Sequence, residues 1–428
     1  MNELETFLAN IDAICGEYNN LSIENARAVI KEINSFLYTN YPEIGNVDAL
    51  GSEYEYFSDF HKYWKEHHKE ILNIQIDKNN CERVADVLHE VYVKTEGRVF
   101  RSLYDTNGLS DEEVCQVRFL TANQDFRGSR SFEQLSNIYK NDPDIFAIDY
   151  VVERPEEFLQ KIKVTDLSQT DKRVKFARTA GQFLQEKQST PYELMDYYDN
   201  DVYSFRKDLI DYKGAGYGNK KTDMFIRDMV MLGIWKNVNG FEKIDVASDV
   251  NTIKVALRTG ILKTEIPLLS SFLDVFCYQY AYVDEMNAKA WRTVWEIWNS
   301  KYEESISSPC LLDYFVYRIV GKEFCKENLF TYRCDQGHKF YWNTRGKSVC
   351  PECRNRCEVI KGQYMCDCDE GRIVTARILP EYDNCPFRVV CEKNNKKLQP
   401  PKSISILGKT GWTSAYARKD CGGGGLMA

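Results

Sequence analysis

Apolar residues recur at spacings of three and four along most of the chain. Within residues 23–37 they fall at Ile23, Ala26, Ile30, Ile33 and Leu37 with polar and charged residues between them, the pattern of a helix that buries one face. Ser22 stands where an N-cap belongs. The same period predicts helices over residues 53–68, 111–122, 131–139, 172–188, 195–212, 220–232, 250–260, 267–280 and 287–298. Trp291, Trp295 and Trp298 share one helical face and read as core. After residue 328 the texture changes to short alternating segments at 330–333, 339–342 and 373–378, punctuated by Cys, Gly and Asp. The expectation is a mainly α chain in three parts: a helical extension over 1–110, an α-helical middle over 111–327, and a small metal-stapled β unit over 328–428.

Composition sharpens this picture. With 428 residues, 43% apolar and 13% aromatic, the chain can bury two or three ordinary cores and is not a disordered or fibrous type. The acidic start MNELETF carries no apolar run, and the most apolar stretch, 266–283, is interrupted by Pro267 and Asp274, so neither a signal peptide nor a membrane span is expected. Charge is unevenly divided. Residues 331–428 carry 17 basic against 10 acidic side chains and the preceding chain 39 against 54, giving +7 and −15. Phosphate affinity comes from local clusters of Lys and Arg, so the acidic total leaves a basic C-terminal unit compatible with DNA. Eleven of fifteen cysteines follow residue 300; without an export signal they favour metal ligation over disulfides and a reducing cytoplasm.

The most informative stretch is 204–260. A predicted helix ends near Tyr212, the run Gly214-Ala215-Gly216-Tyr217-Gly218-Asn219 follows, and a second helix starts at Lys220. Glycines let the turn approach a phosphate, and the following helix N-terminus attracts anions. The segment Gly216-Tyr217-Gly218-Asn219-Lys220, followed by 248–260 (SDVNTIKVALRTG), resembles the helix-hairpin-helix DNA glycosylase superfamily. So does 116–124, ending Asn123-Gln124, and 312–322 is similar to a closing helix of that fold. The resemblance covers about half the chain and looks most like the archaeal 8-oxoguanine branch. It implies a helix-hairpin-helix glycosylase-like core with Lys220 as nucleophile and Asp249 as catalytic carboxylate. It further implies Asn123 and Gln124 filling the gap left by an extruded base, and contacts to DNA from Gly214, Gly216, Gly218, Lys221 and Lys254.

The chain departs from that pattern in several places. The Lys220 to Asp249 interval is long, Asn251 and Lys254 replace residues common in relatives, and Lys221 adjoins Lys220 so that two registers of the nucleophile stand open. Cys310 and Cys325 do not reproduce the four-cysteine loop of iron-sulfur relatives, so no cluster is expected. The residue types suit the chemistry. A carboxylate stabilises the oxocarbenium sugar left by a departing base, and an amine captures C1′ as a Schiff base, which also permits strand cleavage. Asp249 equally suits an ordinary N-cap, Asp245 is a rival carboxylate, and the lysines could serve only to hold phosphate.

In the tail, Cys334-x3-His338 and Cys350-x2-Cys353, separated by eleven residues, match the two closely spaced ligand pairs of a tetrahedral zinc. A second zinc could draw on Cys357, Cys366, Cys368, Cys385 and Cys391. Four protein ligands leave no open position, so such zincs are structural. The expected function is excision of a modified base from double-stranded DNA. The target is an oxidised purine, as the nearest-looking branch implies, or glucosylated hydroxymethylcytosine in phage DNA, as the large extension and extra zinc unit suggest by resemblance to anti-phage glycosylases. The alternative is a non-catalytic DNA-binding module.

Overall fold

The computed structural model describes residues 21–40, 66–101, 103–125, 130–164, 170–265, 278–325 and 329–342, with shorter stretches among 6–14, at 63 and among 348–391. In chain order its elements are α1 (Ile23–Asn40), β1 (Gln75–Ile76), α2 (Lys78–Thr95), α3 (Asp111–Ala122), α4 (Phe132–Asn141), α5 (Ile148–Glu153), α6 (Pro155–Lys161), α7 (Thr170–Lys187), α8 (Leu194–Tyr197), α9 (Val202–Asp211), α10 (Asn219–Met231), α11 (Val250–Thr259), β2 (Leu262–Lys263) and α12 (Tyr278–Lys301). A π-helix follows at Phe315–Phe324, then β3 (Leu329–Arg333), β4 (Lys339–Trp342), β5 (Ser348–Val349), β6 (Arg356–Gln363) and β7 (Arg372–Ile373). The protein is mainly α. Among the described residues no helix is long and apolar enough to cross a membrane. Most of the helix expected over 53–68, and that over 267–280 short of its last turn, lie outside the described residues.

Local chemistry sets several boundaries. Ser110 Oγ accepts from Glu113 N while Glu113 Oε2 accepts from Ser110 N at 2.8 Å, a capping box that starts α3 at the expected residue. Ser131 and Gln134 do the same for α4. The single helix expected over 195–212 is two. Asp199 and Asn200 both adopt left-handed φ, +49° and +60°, which no helix continues through, and Asp201 then caps α9 by accepting from Tyr203 N and Ser204 N.

The chain packs as two compact units that interleave along the sequence: residues 92–247 with 299–315, and residues 1–91 with 248–298 and 316–427. The packing units therefore do not follow the expected borders at 110 and 327. In the first, Phe119 stacks on Tyr217 at 5.3 Å and meets Phe225 edge-on, while Trp235 lies edge-on to Phe205 and Phe225. This aromatic core seats α3 against α10.

In the second unit Trp291, Trp295 and Trp298 are buried as their spacing predicts. The π-helix lies hard against α11, for a Cβ added to Gly321 would come within 2.8 Å of Asn251 Cβ. Strand β1 pairs antiparallel with β2. The tail strands form a five-stranded sheet in the order β5-β6-β3-β4-β7, antiparallel except for the parallel β4–β7 pair.

Candidate active site and metal centre

Between α9 and α10 the backbone turns through Gly214 at φ +98° and Gly216 at φ +76°, conformations that side chains rarely adopt. Gly216 is additionally fixed by packing, since an added Cβ would fall 2.5 Å from the Phe176 ring. Gly218 has ordinary torsions, is exposed and has open space around it. It occupies the N-cap of α10 without any side-chain cap, so the positive end of that helix is left for an outside anion.

The hairpin is clamped from below. Tyr217 Oη donates to Phe119 O. Asn123 Nδ2 donates to Ala215 O and to Phe176 O, both at 3.0 Å, and Gln124 Nε2 donates to Arg173 O at 3.2 Å while Arg173 Nη1 returns a bond to Gln124 O. Asn123 is fully buried and Gln124 is 2% exposed. This corrects the expectation that these two amides reach into DNA: a hairpin carbonyl, Ala215 O, and two carbonyls of α7 need donors, and the amides supply them. Their own side-chain oxygens are buried without a partner among the described residues.

The two lysines separate clearly. Both are half-buried, but Lys221 Nζ donates to Asn123 O at 2.6 Å and lies 5.8 Å from the centre of the Phe176 ring. Burial pulls its ammonium down to about 7; the Asp125 carboxylate opposes the shift, and Lys220, Arg173 and Arg118 reinforce it. Lys221 is thus a lysine whose neutral amine is abundant at neutral pH, a property that no spacing rule in the sequence distinguishes from that of its neighbour.

Asp249, in the other unit, is the N-cap of α11. Its Oδ1 accepts from Thr252 N at 2.8 Å and its Oδ2 from Asn251 Nδ2 at 3.0 Å, while Thr252 Oγ1 accepts from Asp249 N at 2.9 Å. The residue is half-buried, and the capping role expected of it is met. Lys254 is 6% exposed and donates to Gly321 O at 3.1 Å and Asn251 Oδ1 at 3.4 Å. The expected DNA contact from Lys254 is corrected accordingly: its ammonium ties α11 to the π-helix. Asp245 belongs to the first unit and faces the Arg206 guanidinium electrostatically. A separate recess of about 790 Å³ in that unit is lined by Glu112, Glu113, Asp144, Asp149 and Glu193, a charge that repels a phosphodiester.

In the tail, β3 and β4 are joined by a knuckle in which Cys334 N donates to His338 O and Gly337 N to Cys334 O, with Gly337 at φ +82°. A second knuckle joins β5 to β6, with Arg354 N donating to Cys350 O. Because β6 runs antiparallel to β3, its start lies beside the end of β3, and both knuckles share one end of the sheet. Cys334, His338, Cys350 and Cys353 consequently present ligand atoms within 4.8 Å of one another. The Cys353–Cys334 sulfurs are 3.6 Å apart, and His338 Nδ1 lies 3.4 Å and 3.7 Å from the sulfurs of Cys334 and Cys350. Tetrahedral zinc with bonds of ordinary length requires edges of about 3.8 Å between sulfurs and about 3.6 Å from sulfur to nitrogen. The quartet fits, and it can hold a metal such as zinc. Purified protein is expected to carry about one zinc per chain, and Cys350→Ser to lose it, as metal analysis by mass spectrometry checks.

Among the described residues the second set does not come together. Cys366 and Cys368 lie outside the described residues, Cys357 is on β6, and the quartet is the one such group found among the described residues. Cys385 instead shares its surroundings with Cys325, Cys391 and Arg258, and burial, reinforced by those two thiols, raises its own thiol.

Comparison with family models and with curated proteins finds no match to this chain.

Proposed function

We propose that this chain excises a modified base from double-stranded DNA and captures the sugar on a lysine. One observation carries the reading: the helix that begins in the glycine hairpin has an uncapped N-terminus, and a half-buried lysine stands in its first turn. The hairpin amides suit a backbone phosphate, and the extruded nucleotide gives the chemistry its access. As the glycosidic bond breaks, its electron pair leaves with the base, and the Asp249 carboxylate stabilises the cationic sugar. The neutral amine of Lys221 then attacks C1′, the added nitrogen gives up a proton, and the C1′–O4′ bond of the sugar ring breaks with a proton taken up at O4′, giving an open-chain iminium from which strand cleavage can proceed. Lys220 in this reading holds phosphate as a point charge. The cysteine-histidine quartet carries structural zinc, and the basic ribbon around it grips the duplex outside the base pocket.

The test uses two DNAs: a duplex oligonucleotide carrying 8-oxoguanine, and phage DNA containing glucosylated hydroxymethylcytosine. Released base is measured by mass spectrometry and covalent adduct by borohydride trapping. Release from either DNA, lost in Asp249→Asn, is the expected result and also separates repair of oxidised purines from antiviral defence. Tight binding to both without any free base would make the chain a non-catalytic DNA-binding module.

A further inference from the structure

Asn287, on α12, is fully buried in the unit that contains Asp249. Its amide nitrogen donates to Ser248 Oγ at 2.8 Å and to Thr252 Oγ1 at 3.0 Å. Both hydroxyl protons are already committed. Ser248 donates to Asp284 Oδ1 at 2.6 Å, and Thr252 donates to the main-chain oxygen of Asp249 at 2.9 Å. Oxygens that have directed their hydrogens elsewhere can only accept, so Asn287 must turn its nitrogen toward them. The consequence is that Asn287 Oδ1 is left buried with no partner among the described residues. An unsatisfied buried carbonyl is destabilising, and an apolar side chain of similar volume would avoid it. What the asparagine provides in return is a donor on each side of Asp249.

Those donors act on the carboxylate through its neighbours. Thr252 is the residue that closes the capping box on Asp249, and Ser248 precedes it in the chain. We propose that Asn287 is a positioning residue, which fixes the direction of the Asp249 carboxylate by holding Ser248 and Thr252 on either side of it. The inference rests on the base-excision reading above. Small displacements of a reacting group carry large rate penalties, so the effect belongs in the chemical step and not in DNA affinity.

The experiment compares Asn287→Ala, Asn287→Asp, Thr252→Val and the double variant Asn287→Ala/Thr252→Val, using the 8-oxoguanine duplex and the glucosylated phage DNA. Single-turnover base release at saturating protein, the DNA dissociation constant and the melting temperature are measured for each. Asn287→Asp keeps the shape but faces two acceptors with a third. The single variants are expected to slow release about 30-fold while the dissociation constant stays within about twofold, and the double variant to be no slower than the slower single, because both act through one path. Thr252→Ser keeps the hydroxyl and is expected to release base at close to the wild-type rate, which covers the case in which an Asn287 variant does not fold. Rates close to wild type in the Asn287 variants while Asp249→Asn abolishes release overturn the inference and leave the base-excision reading standing. Affinity and melting temperature falling in step with rate also overturn it, since that is the mark of general loosening. Absence of free base from both DNAs with the wild-type protein, or full activity in Asp249→Asn, refutes the base-excision reading itself, and the inference falls with it.

Discussion

Lys221→Gln is expected to reduce the borohydride-trapped adduct below about a thousandth of the wild-type amount, whereas Lys220→Gln is expected to keep the adduct and weaken DNA binding. The asymmetry follows from protonation. An amine with a pKa of about 7, as burial gives Lys221, is about half neutral at pH 7, while ordinary lysine basicity leaves about one molecule in 3,000 neutral. The trapping rate should therefore rise with pH to about 7 and level off above it. An amine of ordinary basicity would keep gaining about tenfold per pH unit toward pH 10. The groups that set this midpoint are Asp125, which opposes the shift, and Lys220, Arg173 and Arg118, which favour it, so Asp125→Asn is expected to move the midpoint down.

The same shift has a sign for stability. In the folded state the lysine gives up its proton at lower pH than it does unfolded, so between about 7 and its ordinary value the unfolded chain binds more protons and stability rises with pH. Lys221→Met removes that slope and is expected to help the fold most at and below pH 7, where the native protein must bury the charge. A residue whose removal steadies the fold while abolishing the adduct is one retained for chemistry.

Much of this was legible in the sequence where a local rule decides the outcome. The start of α3 follows from Ser110 and Glu113, the hairpin from its glycines, and the quartet from two ligand pairs at knuckle spacing, because in each case residues within a few positions fix the geometry. What was not legible depends on partners distant in the chain. Asn123 and Gln124 look like exposed helix-end amides until the hairpin and α7 close over them and claim their nitrogens. Lys254 has the pattern of a surface cation, yet Gly321 leaves room for the π-helix to approach, and the Gly321 carbonyl accepts a hydrogen bond from it. The choice between Lys220 and Lys221 turns on one residue of helical rotation, about 100°, which sends one ammonium toward Asn123 O. The Asn287 network was invisible for the same reason, since nothing in the sequence around Asp249 points to α12.

The largest loss of stability is expected from Asp228→Asn. Asp228 is fully buried on α10. Its Oδ2 accepts from Arg118 Nε at 2.8 Å and from Tyr104 Oη at 3.1 Å, and its Oδ1 accepts from Arg227 Nη2 at 2.6 Å and Nε at 3.0 Å. Arg227 in turn pairs with buried Asp313, and Arg118 with Asp125 at 3.3 Å. Burial alone would raise the Asp228 carboxyl, but Arg227 and Arg118 hold it below the usual range. Its contribution is therefore complete above about pH 4 and is lost as pH falls through the lowered value. The asparagine leaves two buried guanidinium groups short of an anion, which costs about 3–5 kcal/mol, or roughly 10 °C in melting temperature for a unit of this size. It should also flatten the acid limb of the stability curve, so that wild type and variant converge below pH 4. Arg118 lies on α3 and Asp228 on α10, so this bond holds together the two helices that carry the Asn123 carbonyl and the Lys221 amine. Weakening it should loosen that contact and let the amine reach water, moving the trapping midpoint up toward ordinary lysine basicity. A melting-temperature drop with an unchanged midpoint would show that the ion network holds the fold without tuning the amine.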